Sequence, residues 1–207
     1  MKLTADRIVD AGMAVFAETG YHGFSLRQVA DRLHVHAGSL YYHVPNKAAL
    51  LQLMADRVAR QAYDAGAAAL AQLAGQAGWQ ARVTAQAVAV RQSIERHPGG
   101  AILLADSPKA LSTGALSLME RLLDTLAEAG VPPEHCGIAA DTVLSHVTGY
   151  ALQEQSEPPA VPVTAEDVAD LQRRYPRTVA AASAQHPDEK FTRSLDLLCA
   201  GIATLIP

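Results

Sequence analysis

The chain has 207 residues, of which 49% are hydrophobic and 18% charged, with a formal net charge of −4. That apolar content excludes a disordered protein and suffices for a sizeable core in one large or two small domains. No apolar run is long enough to span a bilayer, so no membrane partner is expected. The amphipathic start MKLTADRIVDAG lacks the apolar core of a signal peptide, which points to a cytoplasmic protein. Cys136 and Cys199 lie far apart in sequence, as free buried thiols in a reducing compartment would.

The charge is unevenly spread. Residues 1–60 carry Lys2, Arg7, Arg27, Arg32, Lys47, Arg57 and Arg60 against Asp6, Asp10, Glu18, Asp31 and Asp56, a balance of +2 that leaves −6 for the remainder. A mildly basic head on an acidic body is the asymmetry of a nucleic-acid reader with a separate second domain.

Taken in order, Thr4 to Thr19 reads as a first helix with Ile8, Ala11, Val15 and Phe16 on one face, and Gly20 suits the left-handed position that ends it. Ser25 is an N-cap for a second helix to Leu33, in which Leu26, Val29, Ala30 and Leu33 follow helical spacing. His34-Val35-His36 breaks the pattern. A third, short helix from about Ala37 to His43 stops before Val44-Pro45, because a residue preceding proline is pushed out of the α region. Two short helices and a tight turn form a helix-turn-helix, whose second helix enters the DNA major groove. The fourth helix covers residues 48–66, with Leu50, Leu53, Met54 and Val58 as its stripe. The Ala-rich sequence beyond favours its continuation toward a loop near Gly75.

The body reads as all helix: Trp79 to Arg96, a short piece from Ala101 to Ala105, Leu111 to Ala129, Glu134 to Gln155, a helix capped by Thr164 with Asp167 in an imperfect capping box and interrupted at Pro176, and Pro187 to Leu205 with Phe191, Leu195, Leu198, Ile202 and Leu205 as its stripe. The Pro-rich segment Ser156 to Val163 cannot be regular. No strand-like alternation is present. The expected organisation is therefore all-α: a helix-turn-helix DNA-binding domain over 1–47, a connecting helix over 48–66, and a helical domain over 67–207.

The run VHAGSLYYHVPNKAALL, residues 35–51, and the lead-in AVFAETGYHGFSLRQVADRLHV resemble the tetracycline repressor (TetR) family. Trp79-Gln80, the HPGGA turn at 97–101, TGYALQEQ at 148–155 and SLDLLCAGI at 194–202 extend the resemblance, more loosely, to the tetracycline repressor's own C-terminal subgroup. It implies a homodimer whose helices near 134–155 and 187–205 pair in a four-helix bundle, double-stranded DNA with a roughly palindromic operator as partner, and an unidentified small-molecule effector. Both helices are apolar over more than one face, which agrees.

The resemblance implies that Arg27 reaches a guanine edge or a phosphate, that Ser25, Ser39, Tyr41 and His43 contact phosphate, with Lys47 following them, and that Tyr42 packs along the backbone. His36, Ala37 and Gly38 occupy the base-facing start of the recognition helix, and their difference from the tetracycline repressor implies a different operator. Ligand candidates in the body are Tyr63, Leu104, Ser107, Met119, His146, Tyr150 and Gln153. Tetracycline-binding relatives place a Mg²⁺-ligating His a few residues after the Gly-Ala turn, where this chain has Leu104. Since Mg²⁺ requires oxygen ligands or at best an imidazole, the expectation is a lipophilic effector bound without metal or cofactor. A shifted ligand such as His97 is the alternative. No HExxH, CxxC, GxSxG or phosphate-loop pattern suggests an enzyme. The remaining rival is a DNA-independent helical adaptor or small-molecule-binding protein.

Overall fold

A computed structural model describes residues 3–106, 112–156, 164–183 and 186–207. Among them the secondary structure is entirely helical: α1 Ala5–Gly23, α2 Leu26–Leu33, α3 Ala37–Tyr41, α4 Lys47–Gln72, α5 Trp79–Glu95, α6 Gly100–Asp106, α7 Thr113–Glu128, α8 Pro133–Glu154, α9 Ala165–Arg174, α10 Pro176–Ser183 and α11 Pro187–Ala203. The helices build two hydrophobic cores. One lies within α1–α4 and is built on Ile8, Phe16, Val29, Leu40, Leu50 and Met54; the other fills the body between α4, α5, α7, α8 and α11. α4 belongs to both, since Leu50 and Met54 lie in the first and Val58, Ala59 and Ala62 in the second.

Ser25 and Thr164 cap α2 and α9 as expected, each accepting a first-turn N–H, and Thr4, Asn46 and Ser112 do the same at the head of α1, α4 and α7. The capping box at Thr164 is complete, because the Asp167 carboxylate accepts from the Thr164 N–H at 2.9 Å just as a Glu would. Pro176 separates α9 from α10, as expected.

Several expectations are corrected. Gly20 takes φ +67 and ends the regular run as expected, but with ψ 179 rather than the left-handed helical value, and across this kink Tyr21–Gly23 add one more turn. α3 ends at Tyr41 rather than His43, because the N–H groups of His43 and Val44 both fold back on the Leu40 carbonyl. In α4 the buried partner of Leu50 is Leu51, whereas Leu53 is 40% exposed. As the Ala-rich sequence suggests, α4 runs on past residue 66, to Gln72, packed on α5 and α7. The expected start of α7 at Leu111, and residues 157–163 of the Pro-rich segment, lie outside the described residues.

α6 joins head to body. Leu103 is fully buried in the head core, and its neighbour Leu104 packs against both cores. Asp106 accepts a hydrogen bond from the Tyr21 hydroxyl at the end of α1. Just before α6, Gly99 has φ +72 and lies against Phe16 so closely that a Cβ there would stand 2.4 Å from the ring.

Candidate functional site

The α2–α3 pair is held by its inner face. Leu26, Val29 and Ala30 of α2 and Leu40 of α3 are buried, which turns the intervening residues outward. The turn between them is a Schellman motif: His34 stands in the left-handed region at φ 55, ψ 43, its N–H on the Asp31 carbonyl and that of Val35 on Ala30, each at 3.1 Å.

Arg27, His36, Gly38, Ser39, Tyr41, Tyr42 and His43 are all exposed on this unit. Tyr42 is 90% exposed, so its ring has no part in the core. Arg32, Arg57 and Arg60 are each engaged by carboxylates, from Glu18, from Asp6 and Asp10, and from Asp56. Arg27 has no such partner among the described residues, leaving an available guanidinium on the outer face. The other sequence candidates sit differently. Ala37 is half-buried against the head core. The Ser25 hydroxyl caps α2 and donates to Gln28 Oε1 at 2.7 Å. Lys47 reaches the Tyr21 carbonyl at 3.2 Å and lies 5.6 and 5.7 Å from the Tyr21 and Phe24 ring centres, so it clips the end of α1 to the start of α4.

In the body a cavity of about 300 Å³ opens between α4, α5, α6, α7 and α8. Its walls include Ala59, Val90, Leu104, Leu118, Met119, Leu144 and Thr148, apolar except for the Thr148 hydroxyl. The structure thus brings two ligand candidates together, Leu104 and Met119. Tyr63 is stacked under the Arg121 guanidinium at 4.3 Å and is not among the residues that line the cavity. Gln153 is exposed, and Ser107 lies outside the described residues.

His146 and Tyr150 face α11 instead. His146 stacks on Phe191, with ring centres 5.9 Å apart, and Tyr150 packs on Phe191 at 4.9 Å. The His146 Nε2 lies 2.6 Å from the Ser194 hydroxyl, but that hydroxyl donates to the Phe191 carbonyl at 2.6 Å. With the serine O–H directed at the backbone carbonyl, the hydroxyl oxygen is left to accept from the imidazole N–H. Burial holds the His146 pKa below the usual imidazole value.

His97, the alternative metal ligand, faces Gln61 Oε1 at 2.5 Å. Among the described residues no three His, Cys, Asp or Glu side chains converge as a metal set. Sequence reasoning missed Gln155, whose amide donates to the Ile94 and His97 carbonyls and accepts from the Ala101 N–H, sealing the α5–α6 turn. It also missed Arg91, 8% exposed, which pairs with Glu95, Glu154 and Asp188 and lies over the Tyr150 and Phe191 rings. A single Arg in an amphipathic helix carries no signal of burial. Only the later appearance of acids on α8 and α11 explains it.

A solvent-facing helix-turn-helix set on an all-helical body with an internal apolar cavity defines a DNA-binding regulator with a second, ligand-binding domain. Residues 8–54 match the bacterial regulatory proteins of the tetR family, and residues 72–206 match the tetracyclin repressor-like C-terminal domain. The chain belongs to the TetR family of transcriptional regulators. It is 33% identical over 152 residues to the HTH-type transcriptional repressor DrrR1 of Streptomyces coeruleorubidus, covering 73% of this chain but only 54% of that one. It is 30% identical over 211 residues to an HTH-type transcriptional regulator of Saccharopolyspora erythraea, covering 97% and 85%. The crystal structure of a possible TetR family regulator from Streptomyces coelicolor superposes with a TM-score of 0.81 at 25% identity, covering 98% of this chain and all of the other.

Proposed function

We propose that this protein is a cytoplasmic, homodimeric, sequence-specific repressor, released from a roughly palindromic operator by a lipophilic organic effector that needs no metal, and that it is not an enzyme. The observation that carries the reading is the continuity from cavity to DNA-facing surface through α6. Leu104 lines the cavity, the adjacent Leu103 is sunk in the head core, and Asp106 holds Tyr21 at the end of α1. An occupant that displaces α6 must therefore move α1 and the helix-turn-helix packed on it.

The wall chemistry supports an apolar effector, since Leu104 and Met119 offer no ligand for a hard cation. Dimerisation is supported by a seam left uncovered among the described residues. On α8, Ile138 is 67% exposed and Leu152 40%, with Thr142 and Ser145 exposed between them; on α11, Leu197 is 76% exposed beside Ala200 and Gly201. Uncharged rows at helical spacing are poor solvent faces and good helix–helix surfaces.

Footprinting on the DNA upstream of the protein's own gene tests the reading. Two protected half-sites with centres about 34–36 Å apart are expected from a two-fold dimer. A single half-site, or no shift at all in electrophoresis, would refute it.

A further inference from the structure

The helix that the fold turns toward DNA has no permanent cation. α3 reads Ala-Gly-Ser-Leu-Tyr, without a Lys or an Arg. The permanent cations elsewhere in the head are largely committed. Arg32, Arg57 and Arg60 are held by the carboxylates of Glu18, of Asp6 and Asp10, and of Asp56, and Lys47 donates to the Tyr21 carbonyl. A paired charge presents a much weaker field to a phosphate than a free one. Arg27 is left exposed on the outer face.

Histidines stand where those cations are missing. Four of the chain's eight histidines fall between residues 22 and 43, and all four are exposed. His22 lies in the added turn of α1, His34 in the turn between α2 and α3, His36 at the N-cap of α3 and His43 just beyond its end. No ion pair among the described residues joins any of them to a carboxylate: Glu18 is taken by Arg32, and Asp31 meets His34 only through its backbone carbonyl. His22 lies edge-on to the Tyr21 ring and His43 to that of Tyr42. Tyr21, Tyr41 and Tyr42 are the other titratable groups of this face, and a phenol titrates only near about pH 10. Arg27, Arg32 and Lys47, the cations of the same unit, oppose further positive charge in the free protein.

Imidazole is the side chain whose ordinary titration falls between about pH 5 and 8. We propose that DNA binding by this protein is proton-linked: DNA phosphates supply the negative charge that the fold withholds from these four imidazoles, draw protons onto them, and are bound more tightly as pH falls. This rests on the DNA-binding reading above and adds how that site is regulated. The sign follows from linkage. A phosphate beside an imidazolium raises the imidazole pKa in the complex. The gain in affinity is therefore complete below the value in the free protein and disappears as pH rises through the value in the complex. Four added charges take residues 1–60 from +2 to +6, so the number of phosphates neutralised also rises.

The test is fluorescence anisotropy of the full chain on a labelled duplex from upstream of its own gene, at fixed salt. Affinity is expected to be at least about tenfold higher at about pH 6.5 than at about pH 8.5. The salt dependence should be steeper at the lower pH by about one phosphate or more. Combining His22→Gln, His36→Gln and His43→Gln should bring the ratio of the two affinities to within about threefold, whereas His146→Gln, in the body, should keep it. Calorimetry of the unmodified chain with the same duplex, in phosphate and in Tris, needs no variant to fold. The difference between these buffers, which have unlike heats of ionisation, should report net proton uptake on binding. Equal affinities at the two pH values, a ratio that survives the triple substitution or is lost in His146→Gln, or binding without proton uptake overturns the inference and leaves the regulator standing. No binding to the duplex at either pH removes the regulator, and the proton linkage with it.

Discussion

At the scale of single residues, the DNA-facing unit contains one strained backbone and two cations of different character. His34 occupies the left-handed region to close the Schellman motif. His34→Gly should relieve that strain and raise unfolding stability by about 0.5 kcal/mol net of the greater freedom of glycine in the unfolded chain. His34→Val, β-branched, should cost on the order of 1–2 kcal/mol. Urea denaturation distinguishes the two, and equal stabilities would show that the turn carries no strain. Arg27 and Lys47 should separate by readout. Arg27→Ala is expected to weaken specific DNA binding by about 1–3 kcal/mol while changing stability by less than about 0.5 kcal/mol. Lys47→Ala should cost about 1 kcal/mol of stability as well, because the ammonium bonds the Tyr21 carbonyl and lies by two rings. Its loss should also weaken binding to all sequences alike. A Lys47→Ala protein as stable as the parent would contradict the clip.

At the scale of elements, the α4–α7 contact depends on one carboxylate. Asp56 on α4 accepts from the Gly114 N–H at 2.8 Å, from the Ser112 hydroxyl at 2.9 Å and from Arg60 Nε at 2.6 Å, so it caps the start of α7 from another helix. The approach is close enough that a Cβ on Gly114 would stand 2.7 Å from the Arg60 backbone nitrogen. Burial pushes the Asp56 carboxyl up, but the Gly114 N–H, the Ser112 hydroxyl and Arg60 outweigh it and hold the carboxyl below the ordinary value. With the folded pKa depressed, the stabilisation is complete above the unfolded value of about 3.9 and disappears as pH falls through the folded one. Asp56→Asn should therefore cost on the order of 1–3 kcal/mol at neutral pH, and the gap from the parent should close in strong acid. A gap independent of pH would mean that the charge does not matter.

At the scale of the whole molecule, the exposed seams of α8 and α11 and the apolar cavity have no partner among the described residues. Leu197→Asp places a charge on the α11 seam, where a second copy would desolvate it. Sedimentation should show a dimer for the parent and a monomer, still helical by circular dichroism, for the variant. Operator affinity should fall with dimerisation, because a single mildly basic head makes few phosphate contacts. A monomeric parent would remove the dimer from the proposal. Acid should also loosen the molecule as a whole. Burial lowers the pKa values of both His97 and His146, so the unfolded chain binds more protons once pH falls below about 6.5. Thermal midpoints should drop from pH 7 toward pH 5, and His146→Gln should flatten part of that slope. An unchanged slope would assign it elsewhere.

The sequence by itself determined the helices and the helix-turn-helix, because these rest on local rules, while the family was legible through the resemblance of its motifs. Ser25 and Thr164 cap, Pro176 breaks, and the 3.6-residue spacing of Ile8, Ala11 and Val15 or of Phe191, Leu195 and Leu198 marks a face whatever lies across from it. Exposure of Tyr41, Tyr42 and His43 followed from the same logic, since Leu40 takes the buried position. Only the tertiary structure decided which polar side chains gather in the body. Lys47 turned back onto Tyr21, His146 and Tyr150 faced α11 rather than the cavity, and Leu104 and Met119 met on one wall. Asp56, Gln155, Arg91 and Arg121 found their partners 30 to 100 residues away. Helical periodicity says which side of a helix is inward but not which neighbour waits there. Whether an inward-turned arginine meets three carboxylates, as Arg91 does, or a glutamine and a backbone carbonyl, as Arg121 does, is set by the packing of α5 against α8 and α11, and of α7 against α4.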